Sequence, residues 1–383
     1  MTNDNHIIIS LIRHAIMPNS SISIKQSNWH DIIQYGKTAG LSTVFYYSII
    51  KLSSVPEEIK IQFYNTTIAQ LTRACQQNYW YKKIIEYFEM ACVDYMPLKG
   101  IVIKNKYPNP EMRLMGDIDI LIKEEQMPIV DRIMCEIGFT RIKGSMYEDT
   151  WKHNNVIIEF HTSLFDKSYS KLYKYGKDCW ERANREVNSR KYTMTNEDFF
   201  IYIFLHLIKH LYIGGVGMRH IIDLCVLMHC DTPLNMGYIR KETEKLKLDR
   251  TLDILLQTID YIFYGNNNNE EVNQLILFII ESGSFGTEKI KYEGQALKNE
   301  INNEMIWNKF SYAMKMLFPS FSQMQKQYPK LKKKYMIPAY WALRLIQGKG
   351  NAMQVIQIMK LINSPATKEK KKFLQTIGIN EKI

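Results

Sequence analysis

The chain has 383 residues, 46% of them hydrophobic and 23% charged, with a formal net charge of +11. Those proportions exclude a disordered chain and leave room for a real core and two or three substructures. The positive balance favours polyanionic ligands such as nucleotides or nucleic acid but names no partner.

No apolar run approaches the roughly 20 residues that a membrane-spanning helix needs, so no membrane partner is expected. The start, Met1 to Ile8, is polar before it turns apolar and lacks a basic segment with a cleavage site, which points to a cytoplasmic protein. Cys75, Cys92, Cys135, Cys179, Cys225 and Cys230 contain no CxxC pair. They read as free thiols in a reducing compartment rather than as disulfides or a zinc site. Lysines cluster late, at 330–334 and 368–372, as a solvated face.

Residues 1–94 read as a helical region, with helical spacing in Ile7–Ile16, Ile32–Ile50 and Ile61–Phe88. Cys92–Met96 reads as a short strand stopped by Pro97. Residues 95–195 change character. Gly116 leads into Asp117-Ile118-Asp119-Ile120-Leu121-Ile122, an alternating strand. Glu124–Ile137 follows as a helix capped by Gly138. Phe139–Ile142, Trp151–His153 and Val156–His161 read as further strands. Residues 196–383 return to helix: Phe199–Tyr212, His220–Met228, Ile239–Leu246, Leu252–Phe263, Val272–Glu281, Met305–Leu317 and Ala339–Ile346. Asn266–Asn269 reads as a loop. The fold class expected is α+β, a small mixed sheet embedded between N- and C-terminal helical regions.

Alternate residues of a strand point to one side, so Asp117 and Asp119 project together while Ile118 and Ile120 face a core. Paired carboxylates repel unless a cation sits between them, and hard oxygen ligands suit Mg²⁺. Such a pair also fits an exposed strand edge. A second acid, Glu159, lies within the apolar strand Val156–His161 and is costly to bury unless paired or bound to metal. Three carboxylates from two strands can hold two divalent ions, Mg²⁺ with Mn²⁺ as the alternative, one activating a hydroxyl and the other neutralising a triphosphate. His161 on the same face reads either as a prop for a carboxylate or as a direct participant. Gly100 opens a short helix whose free N–H groups suit phosphate. Lys99 adds a charge there, and Arg113 a planar fork. Gly116 lets a phosphate approach the backbone.

Taken in order, Leu98-Lys99-Gly100, Arg113, Gly116-Asp117-Ile118-Asp119 and Ile158-Glu159-Phe160-His161 resemble a bacterial family of uncharacterised nucleotidyltransferases in the polymerase-beta-type superfamily. The likeness extends to His206, His210, Arg219 and Asp223. More weakly, it reaches Phe318-Pro319-Ser320, Tyr328-Pro329 and Pro338-Ala339-Tyr340-Trp341 with Arg344. Two departures stand out: Ile101 replaces a serine common in the wider superfamily, and Lys99 replaces a glycine or other small residue. The resemblance implies transfer of a nucleoside monophosphate from an NTP to an acceptor (a small molecule, a protein or tRNA) with release of pyrophosphate. It implies that Asp117 and Asp119 hold both ions, that Glu159 holds the hydroxyl-activating one, and that His210 and Arg219 face the nucleotide. The rival expectation is a basic nucleic-acid-binding or adaptor protein with an inactive core.

Two signals point elsewhere and are set aside. His206 and His210 lie one helical turn apart, but Leu207 stands where a zincin has its glutamate, so they read as hydrogen-bonding or nucleotide-facing residues. Gly214-Gly215-Val216-Gly217 follows a helix and lacks the spacing of a dinucleotide fingerprint, so it reads as a helix connection.

Overall fold

The helical periodicity of the first ninety residues folds into α1 (Asn3–Ile16), α2 (Trp29–Ala39), α3 (Ser42–Ile49) and α4 (Glu57–Met90). The structure is a computed structural model that describes residues 2–17, 20, 22, 24, 28–144, 148–229, 232–283, 314, 317–321, 324, 325, 328, 331–346 and 364–379. Expected helix Met305–Leu317 lies almost wholly outside them.

After α4 the chain turns through Cys92, whose φ of 55° is left-handed, and straightens only at β1 (Tyr95–Pro97). The strand therefore starts three residues later than its apolar pattern suggests. A short helix α5 (Gly100–Ile103) precedes β2 (Ile118–Ile122), which begins one residue after Asp117. A 3₁₀ turn at Glu124–Gln126 leads into α6 (Met127–Glu136). Gly138, with φ 85°, ends that helix as expected: its N–H donates to Cys135 O and that of Phe139 to Met134 O. Then come β3 (Thr140–Gly144), β4 (Glu148–His153) and β5 (Val156–His161).

The sheet order is β1-β2-β5-β4-β3. Only β2 and β5 run parallel; the other pairs are antiparallel, so the sheet is mixed and the fold is α+β. One face, carrying Ile118, Ile120, Ile122, Val156, Ile158 and Phe160, packs with Ile84 and Phe88 of α4 and Val130 and Met134 of α6. The opposite face carries the acids.

Beyond α7 (Ser170–Gly176), α8 (Cys179–Arg182) and the small hairpin β6 (Asn184–Arg185) and β7 (Tyr192–Thr193), the chain becomes helical again. The helices are α9 (Asn196–Ile213), α10 (Met218–Met228), α11 (Met236–Lys245), α12 (Asp249–Tyr264) and α13 (Glu270–Ser282). They share one core with α1–α3. Arg13 fastens the two ends together by donating to Ile262 O at 2.7 Å and Tyr261 O at 3.1 Å.

Two later helices, α14 (Ile337–Ile346) and α15 (Pro365–Thr376), complete the described chain. The late segments that resemble the family touch one another: Trp341 Nε1 donates to Pro319 O, and Phe318 meets Trp341 edge to face. Lys370 is buried, so the last lysine cluster is not uniformly a solvated face. Among the described residues no helix is long and apolar enough to cross a membrane.

Candidate active site

Parallel pairing of β2 with β5 sets Asp119 directly opposite Glu159 and Ile118 opposite Ile158. Register partners in a sheet present their side chains on the same side. The two carboxylates therefore share a face, turned toward α9 and α10. Asp117, just before β2, brings a third carboxylate to the same place. All three line a cleft of about 250 Å³ together with Lys99, Gly100, Arg113, Gly116, His210 and Arg219.

Asp119 is 3% exposed and is the best-partnered acid of the site. Lys99 Nζ lies 2.6 Å and His161 Nε2 2.8 Å from the same oxygen, Oδ1. Burial alone would raise the pKa of Asp119, but Lys99 and His161 together hold it well below the usual carboxylate range. The pair acts on Lys99 in return: burial would lower the ammonium, and Asp119 raises it above its ordinary value. His161 is not among the residues that line the cleft; its Nε2 meets Asp119.

Asp117 and Glu159 go the other way. Burial, then the charge of Asp119, raises Asp117. Burial, then Asp117, Glu148 and Asp119, pushes Glu159 up to about 8. Ligand atoms of Asp119, Glu159 and His161 lie within 4.8 Å of one another. A site with this surplus of buried negative charge fits a divalent cation, and its oxygen donors fit a hard one.

The approach to the acids is fixed by cations. Arg113, expected to meet phosphate, lines the cleft and forms a two-pronged ion pair with Asp223 of α10, at 2.7 Å and 2.8 Å. Tyr107 OH donates to the same Asp223. The planar fork of Arg113 takes both oxygens of Asp223, whose charge also acts on Arg219 one turn away on α10. Three successive carbonyls before Asp117 are also held. Leu114 O accepts from Arg113 and Arg219, Met115 O from Gln77 and Gly116 O from Arg73. The long helix α4 thus anchors the loop that delivers the acids.

The two glycines differ. A Cβ on Gly100 would stand 2.8 Å from Met115 Cγ, so packing requires that glycine. A Cβ on Gly116 would meet nothing within 4 Å, so the space above it belongs to the cleft. The helix that Gly100 opens has only four residues, and the backbone strain sits one residue earlier, at Lys99, with φ 48°.

Several lining residues escaped the sequence reading. Glu148 is the register partner of His161 on β4, a strand that begins three residues before its apolar pattern does. Lys209 and His220 also line the cleft. Their α9 and α10 positions are invisible as site positions until those helices are packed over the sheet.

Comparison with known proteins agrees with this geometry. Searches of curated proteins and of solved structures return no match. A family described as uncharacterised nucleotidyltransferase matches residues 25–263, from the N-terminal helices through α12 and across every cleft residue named above. The chain belongs to that family of uncharacterised nucleotidyltransferases.

Proposed function

We propose that the chain transfers a nucleoside monophosphate from an NTP to a hydroxyl acceptor, releasing pyrophosphate, with two Mg²⁺ (or Mn²⁺) ions held by Asp117, Asp119 and Glu159. The supporting observation is the parallel register that sets Asp119 beside Glu159, with enough surrounding negative charge to raise Glu159 to about 8. When bound, such ions neutralise the triphosphate and acidify the attacking hydroxyl.

The chain's own residues hold and position. Lys99 and His161 keep Asp119 ionised and aimed. Arg219 is the phosphate-binding cation: it is buried in the cleft wall, and burial followed by repulsion from Arg113 lowers it to about 10, a cost that an anion relieves. Arg113, already matched by Asp223, positions the loop instead. Gly116 leaves its backbone open to a phosphate. Catalysis rests on placement and charge neutralisation, not on a covalent intermediate. The acceptor is a small molecule, a protein or tRNA, and the chain's +11 charge is compatible with each.

The test is incubation with each NTP, labelled in turn at the α and γ phosphate, with Mg²⁺ and a cell extract. The reading expects α label on an acceptor and free pyrophosphate. Transfer of γ label alone would make the protein a kinase. An untouched NTP pool would favour the adaptor reading.

A further inference from the structure

A second cluster stands in the wall of the cleft opposite the sheet. His206 and His210 are one turn apart on α9, and His220 enters from α10. One nitrogen from each ring lies within 4.8 Å of the others. The Nε2 atoms of His206 and His210 are 3.0 Å apart, and the His210 and His220 rings are 5.2 Å between centroids.

The tautomer of His220 follows from its partner. His220 Nδ1 lies 3.2 Å from Gly217 O. A carbonyl only accepts, so Nδ1 carries the proton and Nε2 keeps its lone pair. This is how proteins orient an imidazole for a metal. Burial before all else, then nearby cations and the other rings, pushes the three imidazoles below their ordinary range, His220 to about 3. All three are neutral near pH 7, as metal binding requires.

We propose that His206, His210 and His220 form a three-imidazole site for a zinc-class divalent ion whose fourth position takes an anionic oxygen ligand from the cleft. Three protein nitrogens and an open position is a known zinc arrangement, and imidazole suits zinc, cobalt or copper far better than magnesium. The surroundings explain the anionic ligand. Lys99 depresses both His206 and His210, and Arg219 depresses His210 and His220. Those same cations would repel a dipositive ion unless a phosphate oxygen or hydroxide came with it. The site is chemically distinct from the carboxylates, and its existence does not depend on nucleotidyl transfer.

Full-length protein without a polyhistidine tag should be stripped of metal, dialysed against Zn²⁺ and, separately, titrated with Co²⁺. The proposal expects one Zn²⁺ per chain that survives in Asp117→Asn/Glu159→Gln, and visible cobalt bands of tetrahedral intensity. Inorganic phosphate should perturb those bands. His220→Asn and, independently, the more accessible His210→Asn should each lower affinity by at least about 10-fold with an unchanged circular dichroism spectrum. Wild-type protein that holds no zinc overturns the proposal. So does zinc that stays in both histidine variants and leaves in the carboxylate variant.

Discussion

Lys99 reaches Asp119 at 2.6 Å from a backbone whose φ of 48° suits glycine far better than lysine. Conformations of that kind cost about 1–3 kcal/mol and persist where the surroundings enforce them. The ion pair with a buried carboxylate is such an enforcement. Lys99 thus stands at a position built for a small residue, and does so by gripping the acid at the centre of the site.

Replacing Lys99 separates the two effects. Lys99→Ala loses the ion pair and keeps the strain; Lys99→Gly loses the pair and relieves it. The glycine variant should be the more stable by about 1 kcal/mol in urea titrations. Both should bind NTP more weakly at fixed Mg²⁺. An alanine variant as stable as the glycine variant would remove the strain argument.

The two site glycines make opposite predictions. Gly116→Ala adds a methyl where the structure has open space, so stability should change by less than about 0.5 kcal/mol. Transfer should fall nonetheless, because the methyl occupies the phosphate's approach. Gly100→Ala drives a methyl against Met115 and should cost about 1–3 kcal/mol in thermal or urea unfolding.

Asp223 is 2% exposed and carries both prongs of Arg113. Asp223→Ala strands a buried guanidinium beside Arg219 and should cost about 3–5 kcal/mol. Equilibrium unfolding measures this directly. A loss under 1 kcal/mol would mean that the ion pair does not organise the loop.

Burial pushes the Cys179 thiol from its ordinary 9 up to about 11. Below pH 9 both folded and unfolded chains carry the proton. Between pH 9 and 11 the unfolded thiol ionises first, so this contribution to stability is lost as pH rises. The urea midpoint of the wild type should therefore fall more steeply across that window than that of Cys179→Ala. Parallel curves would contradict the assignment.

The acidic strands were legible because strand alternation is a local property. Spacing alone pairs Asp117 with Asp119 and Glu159 with His161, each opposite apolar neighbours; that the two pairs share one face of the sheet follows only from the β2–β5 register. The ion pair of Arg113 is not legible in the sequence because its partner is 110 positions away and a fork that fits phosphate fits a carboxylate equally well. His220 escapes for a different reason. The spacing of His206 and His210 sets two imidazoles on one face of α9, while the third ring joins them only through the way α10 crosses α9. Asp117 was placed inside a strand because DxD alternates perfectly; the ladder starts at Ile118 since the preceding carbonyls are already held by Arg73, Gln77 and Arg219.

The sharpest test is a manganese titration followed by electron paramagnetic resonance on the wild type, Asp119→Asn and Glu159→Gln, each with an NTP analogue present. Weakening by at least about 10-fold in both variants, with their fold intact, is the predicted result. A Glu159→Gln protein that binds manganese as tightly as the wild type would show that β2 and β5 do not build one centre.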